Sequence, residues 1–139
     1  MKIYNEFVLN YATILFSPKT DKYGRLYTRV LEKDNIFQVD MGPTDLMDAN
    51  LEYYGSSLEG TSVGASMMPI LVNEKRGIYW FPSKSPSEVD CVWFALHQIK
   101  KYHSLAKGRT MVTFNNECTF DLDISHSSFD MKVKQAFKL

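Results

Sequence analysis

The chain lacks most of the features that would announce a chemistry. It has two cysteines in 139 residues, too few for a disulfide framework. Cys91 and Cys118 both lie in segments that read as core and are expected to be reduced, buried thiols. No apolar run, Cys91–Leu96 included, approaches the roughly 20 residues that a bilayer requires. The N-terminus has no apolar signal core with a small-residue cleavage site. A cytoplasmic protein without membrane contact is the expectation. The three histidines, His97, His103 and His126, form no HExxH or triad-like pattern. Cys91, His97, His103 and Cys118 are spread too widely for a zinc site, which favours short internal spacings. No enzyme is indicated, and neither a metal nor another cofactor is expected. Net charge is absent too: 16 basic residues balance 16 acidic ones. That argues against strong nonspecific attraction of the whole chain to nucleic acid.

What is present is a core. Hydrophobic residues make up 45% of the chain, with nine Phe and eight Tyr, enough for one domain over 1–139 and short of what a second usually needs. Ala12–Phe16 reads as a strand, followed by a Pro, Asp and Gly loop over Ser17–Arg25. Leu26–Leu31 and Ile36–Val39 are rich in β-branched and aromatic residues around the turn Lys33-Asp34-Asn35, as in a hairpin. The period then lengthens. Over 43–54, Met47, Leu51 and Tyr54 share a helical face, Pro43 suits the first turn, and Gly55 suits the position just past the end. Two further strands flank Glu74-Lys75-Arg76-Gly77, and Ser83–Glu88 reads as an exposed loop. Cys91–Tyr102 fits a helix or a strand buried on both faces, and periodicity leaves both open. Thr110–Phe114 and Cys118–Ile124 alternate around Asn115-Asn116, residues that tolerate the left-handed backbone of a tight turn. From about 127 to 139, Phe129, Val133 and Phe137 line a terminal helix that Ser125, Ser127 or Ser128 can cap. The expected class is α+β, a mainly antiparallel sheet with these two helices.

Charge is unevenly placed. Residues 1–60 hold six Lys/Arg against nine Asp/Glu, net −3; residues 61–139 hold ten against seven, net +3. Within the second part, Lys100, Lys101, Lys107 and Arg109 occur with no acidic residue between them and bracket a turn. They are the candidate contacts to a phosphate backbone, with Lys75 and Arg76 on a hairpin tip as a second patch. The bland reading of both is a solvated surface. Asp121 and Asp123, two apart on a strand, read as its solvent face. The stretch Glu52–Pro69 resembles a phosphate loop in the spacing of Gly55, Gly60 and Thr61-Ser62, but it has no lysine and follows a helix, so nucleotide binding is set aside.

In order and spacing, "LEKDNIFQVDMGP", "LEYYGSSLEG", "MPILV", "IYWFP" and "TMVTFNNECTFDLDISHSSF" resemble the competence transcription factor family, ComK, over nearly the whole chain. The resemblance implies a DNA-binding activator of competence genes that acts as a homo-oligomer. It implies promoters with A-rich and T-rich boxes read from the minor groove, and control by an adaptor to a Clp protease. A narrow A/T-tract groove concentrates negative potential, so a few Arg or Lys suffice there. In this reading Gly55, Ser56, Ser57 and Gly60 are the backbone-shaping family motif. Two departures stand out. Thr61-Ser62 and Met67-Met68 occupy places where the family pattern carries basic residues, and the family continues for several tens of residues past the point matching Leu139. The alternative is therefore a relative with weakened DNA affinity, a protein-interaction module that antagonises an intact activator or occupies its adaptor.

Overall fold

In the computed structural model, which describes residues 2–53, 70–73 and 78–137, two sheets and two helices form an α+β fold dominated by antiparallel pairing. Strands β1 (Ile3–Tyr4), β2 (Thr13–Thr20), β3 (Leu26–Glu32), β4 (Asn35–Val39), β5 (Ile70–Asn73), β6 (Ile78–Pro82) and β7 (Trp93–Ala95) make a seven-stranded sheet in the order β1-β4-β3-β2-β7-β6-β5. Strands β8 (Ile99–Leu105), β9 (Arg109–Phe114) and β10 (Thr119–Leu122) make a second sheet with β9 at its centre. Among the described residues, only β1 and β4 pair in parallel.

The central strands of the large sheet are buried on both faces, because neighbouring residues on them feed different cores. Phe16, Trp80 and Trp93 join Leu46, Met47 and Leu51 of helix α1 (Pro43–Tyr53). Their neighbours Leu15, Phe81 and Phe94 join Val112 and Phe114 of β9 and Phe129 and Val133 of helix α2 (His126–Phe137). Within the ambiguous segment Cys91–Tyr102, Trp93–Ala95 is therefore a strand buried on both faces, and Ile99–Tyr102 begins the half-exposed β8. A strand apolar on both faces reads as a continuous apolar run, and a short 3-10 turn over Leu96–Gln98 then carries the chain from one sheet to the other.

Several boundaries differ from expectation. Strand β2 runs through Ser17–Thr20, and the loop shrinks to Asp21–Arg25. Pro18 is accommodated because β2 pairs with β7 only at Leu15 and Phe16, so its missing N–H disrupts no ladder on that side. In the β9–β10 turn the left-handed residue is Glu117, φ 71°, rather than either asparagine. This is the three-residue hairpin whose third position is left-handed. Cys118, at that turn, is exposed, whereas Cys91 is buried. Within the Ser83–Glu88 loop, Ser83 is buried and its Oγ accepts the Val92 N–H at 2.9 Å. On α2 the buried set is Phe129, Val133 and Ala136, with Phe137 exposed. Seven residues return almost to the same helical azimuth and eight do not. Ser125 is the cap: its Oγ accepts the Ser128 N–H at 3.2 Å. On α1, the buried polar residue Asn50 accepts the Leu9 N–H at 2.7 Å and donates to the Phe7 carbonyl at 2.9 Å, tying the N-terminal segment to the helix. The proposed contacts Lys75 and Arg76 and the motif residues Gly55, Ser56, Ser57 and Gly60 lie outside the described residues, as do Tyr54, Thr61-Ser62 and Met67-Met68.

Candidate nucleic-acid interface

Strand β8 carries two of the four predicted patch cations, Lys100 and Lys101, with Lys107 in the connection that follows and Arg109 at the start of β9. Strand β8 is an edge strand, and alternation sets Tyr102 inward, 5.1 Å ring to ring from Phe129, with Lys101 and His103 exposed. The register puts Lys101 opposite Thr113, His103 opposite Met111 and Leu105 opposite Arg109. Met111 in turn faces Asp121 on β10. Directly opposed residues share a face, so Lys101, His103, Arg109 and Asp121 lie on the same outer surface of the small sheet.

The four predicted cations are not equivalent there. Arg109 is held by two carboxylates: its Nε donates to Asp121 at 2.7 Å, and its Nη1 lies 3.2 Å from Asp123. The hydrogen bond to Asp121 pushes its guanidinium further up from an already high value. Lys100 sits at an irregularity between Ile99 and Lys101 and pairs with Glu117 at 2.5 Å. That bond holds the Glu117 carboxyl below its ordinary value. Lys101 and Lys107 make no ion pair among the described residues. Lys107 occupies the β8–β9 connection in a left-handed conformation, φ 63°, followed by Gly108 at φ 70°, which projects its side chain at the end of the hairpin. From Lys100 to the end of β8 at Leu105 is five residues of extended strand, roughly 17 Å, with Lys107 in the turn beyond. The patch is therefore a strip along one edge, with its two ends partly neutralised by Glu117 and by the Asp121–Asp123 pair. Sequence reading took those aspartates for a plain solvent face. Their spacing across the hairpin from Arg109 was the available signal.

A second group of cations escaped the count by halves. Residues 17–30 hold Lys19, Lys22, Arg25 and Arg29 against the single acid Asp21, net +3 inside a segment whose total is negative. They sit on the β2–β3 hairpin, interleaved with Tyr23 and Tyr27. Lys22 Nζ lies 5.2 Å from the Tyr23 ring centre, and the Arg25 guanidinium lies 5.4 Å from that of Tyr27.

A family model described as ComK protein matches residues 4–139. The chain belongs to the ComK family. Among curated proteins, the competence transcription factor of Bacillus subtilis (strain 168) is 31% identical over 132 residues, covering 90% of this chain and 68% of that relative. No solved structure matches the chain. The ComK family is one of transcription regulators, which is not an enzyme class.

Proposed function

We propose that this ComK-family chain is a transcription regulator of competence genes that binds double-stranded DNA at A/T-rich promoter boxes, with basic side chains directed at the minor groove and its flanking phosphates, and that it does so as an oligomer. The observation that carries the reading is the family match across 4–139 together with a relative that is itself a competence transcription factor. Lys101 and Lys107 are the strip's available cations. Lys100 and Arg109 join them by exchanging Glu117 and Asp121–Asp123 for phosphate, and Lys75 and Arg76 extend the same role. The absence of net charge suits a regulator that relies on a few well-placed cations in a narrow groove rather than on bulk attraction.

A second reading is favoured by a specific observation: two of the four strip cations already have carboxylate partners. In that reading the chain has weakened DNA affinity and acts as a protein-interaction module, pairing with an intact activator or occupying a protease adaptor. Fluorescence anisotropy of an A/T-box duplex, titrated at several salt concentrations, separates the two. DNA binding predicts affinity falling linearly in log–log form, by about 0.9 per phosphate contacted. Absence of binding at 50 mM salt rejects the DNA reading in favour of the second.

A further inference from the structure

We infer that the β2–β3 hairpin is a duplex-contacting ribbon, with Lys19, Lys22 and Arg29 directed at DNA phosphates; this rests on the DNA-binding reading above and adds to it a surface separate from the β8–β9 strip. Its geometry is that of an arm. Strand β2 leaves β7 after Phe16, and β3 meets β4 only from Thr28 onward. From Lys19↔Tyr27 to Thr20↔Leu26 the two strands therefore pair through the ladder only with each other, whereas Ser17↔Arg29 and Pro18↔Thr28 lie where β3 also pairs with β4. Strand β2 thus runs four residues, about 13 Å, past its last pairing with β7, and its last two pairs before the turn form a two-stranded tip, the kind of element that proteins lay against duplex DNA.

One face of the ribbon is committed to the fold. Thr28 is buried and donates its hydroxyl hydrogen to the Met41 carbonyl at 2.7 Å, and Leu26 closes on Gly42. The other face is set by register: Lys19 opposes Tyr27 and Ser17 opposes Arg29, so Lys19, Tyr27 and Arg29 share it, with Lys19 and Arg29 as diagonal neighbours about 7–8 Å apart. Arg29 has a buried Nε with no hydrogen-bond partner, and it makes no ion pair among the described residues. Because that Nε is enclosed, the terminal guanidinium nitrogens are the donors that Arg29 offers a phosphate oxygen.

The turn is built to hold its shape. The Asp21 carboxylate accepts the N–H groups of Tyr23 and Arg25 at 2.8 and 2.9 Å, and Gly24 takes φ 82°. The ribbon's only acid is thus engaged by its own backbone, and the cations around it face outward. Arg25 is paired with Asp40 at 2.7 Å and serves to brace the ribbon base. Tyr23, 83% exposed at the tip, lies beside Lys22, whose Nζ is 5.2 Å from its ring centre.

The test uses the full chain and a fluorescent A/T-rich duplex between 50 and 200 mM salt. The variant K19Q/K22Q/R29Q is expected to flatten the log affinity against log salt slope by about 2.7, three lost phosphate contacts. K19Q/K22Q, which alters two exposed side chains only, is expected to flatten it by about 1.8 and serves if the triple variant folds poorly. Wild-type binding with a slope that both variants retain overturns the ribbon's role and leaves it a solvated or protein-facing arm, while the DNA-binding reading stands. Failure of the wild type itself to bind at 50 mM overturns that reading, and this inference with it.

Discussion

In the proposed complex, Arg109 is the residue at which the protein's own carboxylates and a DNA phosphate would compete. Its guanidinium is 37% exposed yet contacts Asp121 and Asp123, so a phosphate must displace both carboxylates to use it. Replacing them, D121N/D123N, keeps shape and removes two negative charges from the outer face of the small sheet. Exposed ion pairs contribute little to stability because water and salt screen them, so the thermal midpoint is expected to be unchanged. DNA affinity is expected to rise at low salt and to become more salt-sensitive. One freed contact steepens the slope by about 0.9, so raising salt fourfold, from 50 to 200 mM, weakens the variant about 3.5-fold more than the wild type. The control is E32Q/D34N, which makes the same change in net charge away from Arg109. If both doubles raise affinity equally with no change in slope, the effect is global charge and Arg109 is no latent contact. If D121N/D123N leaves affinity and slope as they were, the reasoning about neutralised strip ends is refuted.

Three other perturbations probe the fold and the strip. Lys107→Asn preserves a residue that tolerates the left-handed conformation, so chemical denaturation should move by less than about 0.5 kcal/mol while the salt slope falls by about 0.9; a stability loss with an unchanged slope assigns Lys107 to the turn alone. Phe129, fully buried against Phe81, Phe94 and Tyr102 at ring separations of 5.7, 5.3 and 5.1 Å, joins α2 to both sheets, and Phe129→Ala should cost about 3–5 kcal/mol in urea denaturation; a cost under about 1 kcal/mol contradicts the packing described. Burial, aided by its 2.6 Å hydrogen bond to Asp130, pushes the Tyr102 hydroxyl up to about 12 from 10.0. Because the folded value is raised, the associated stability is intact below pH 10 and is lost as pH rises toward 12. Thermal midpoints of the wild type should therefore fall more steeply across that window than those of Tyr102→Phe, and parallel curves refute the assignment.

The sequence made the architecture legible where a single periodicity governed a segment. The hairpin at Leu26–Val39, helix α1 from Pro43 and the β9–β10 hairpin follow from alternation, a first-turn proline and turn chemistry. It was silent where two surfaces overlap. Trp93 and Phe94 are both fully buried, against different cores, so no apolar stripe exists to separate strand from helix. Asn50 looks polar and exposed by type, and only the approach of Phe7 and Leu9 makes its burial favourable. Strand β2 was cut short because Pro18 and Lys19 are turn-like by composition, whereas they pair with Thr28 and Tyr27. For the proposed interface, charge runs single out Lys100 to Arg109, but the carboxylates that engage Lys100 and Arg109 arrive from β10 and its flanking turns, across the hairpin. The β2–β3 cations were hidden by summing over a half of the chain whose other acids lie elsewhere in the fold.

The most direct test of the central claim is where the chain meets DNA. Backbone amide chemical shifts of the full chain, recorded with and without an A/T-rich duplex at low salt, are predicted to change together over 19–29 and 101–109 and to leave the buried strand Trp93–Ala95 unmoved. Duplex binding with neither of these surfaces perturbed contradicts the account, as does the absence of any shift at saturating DNA.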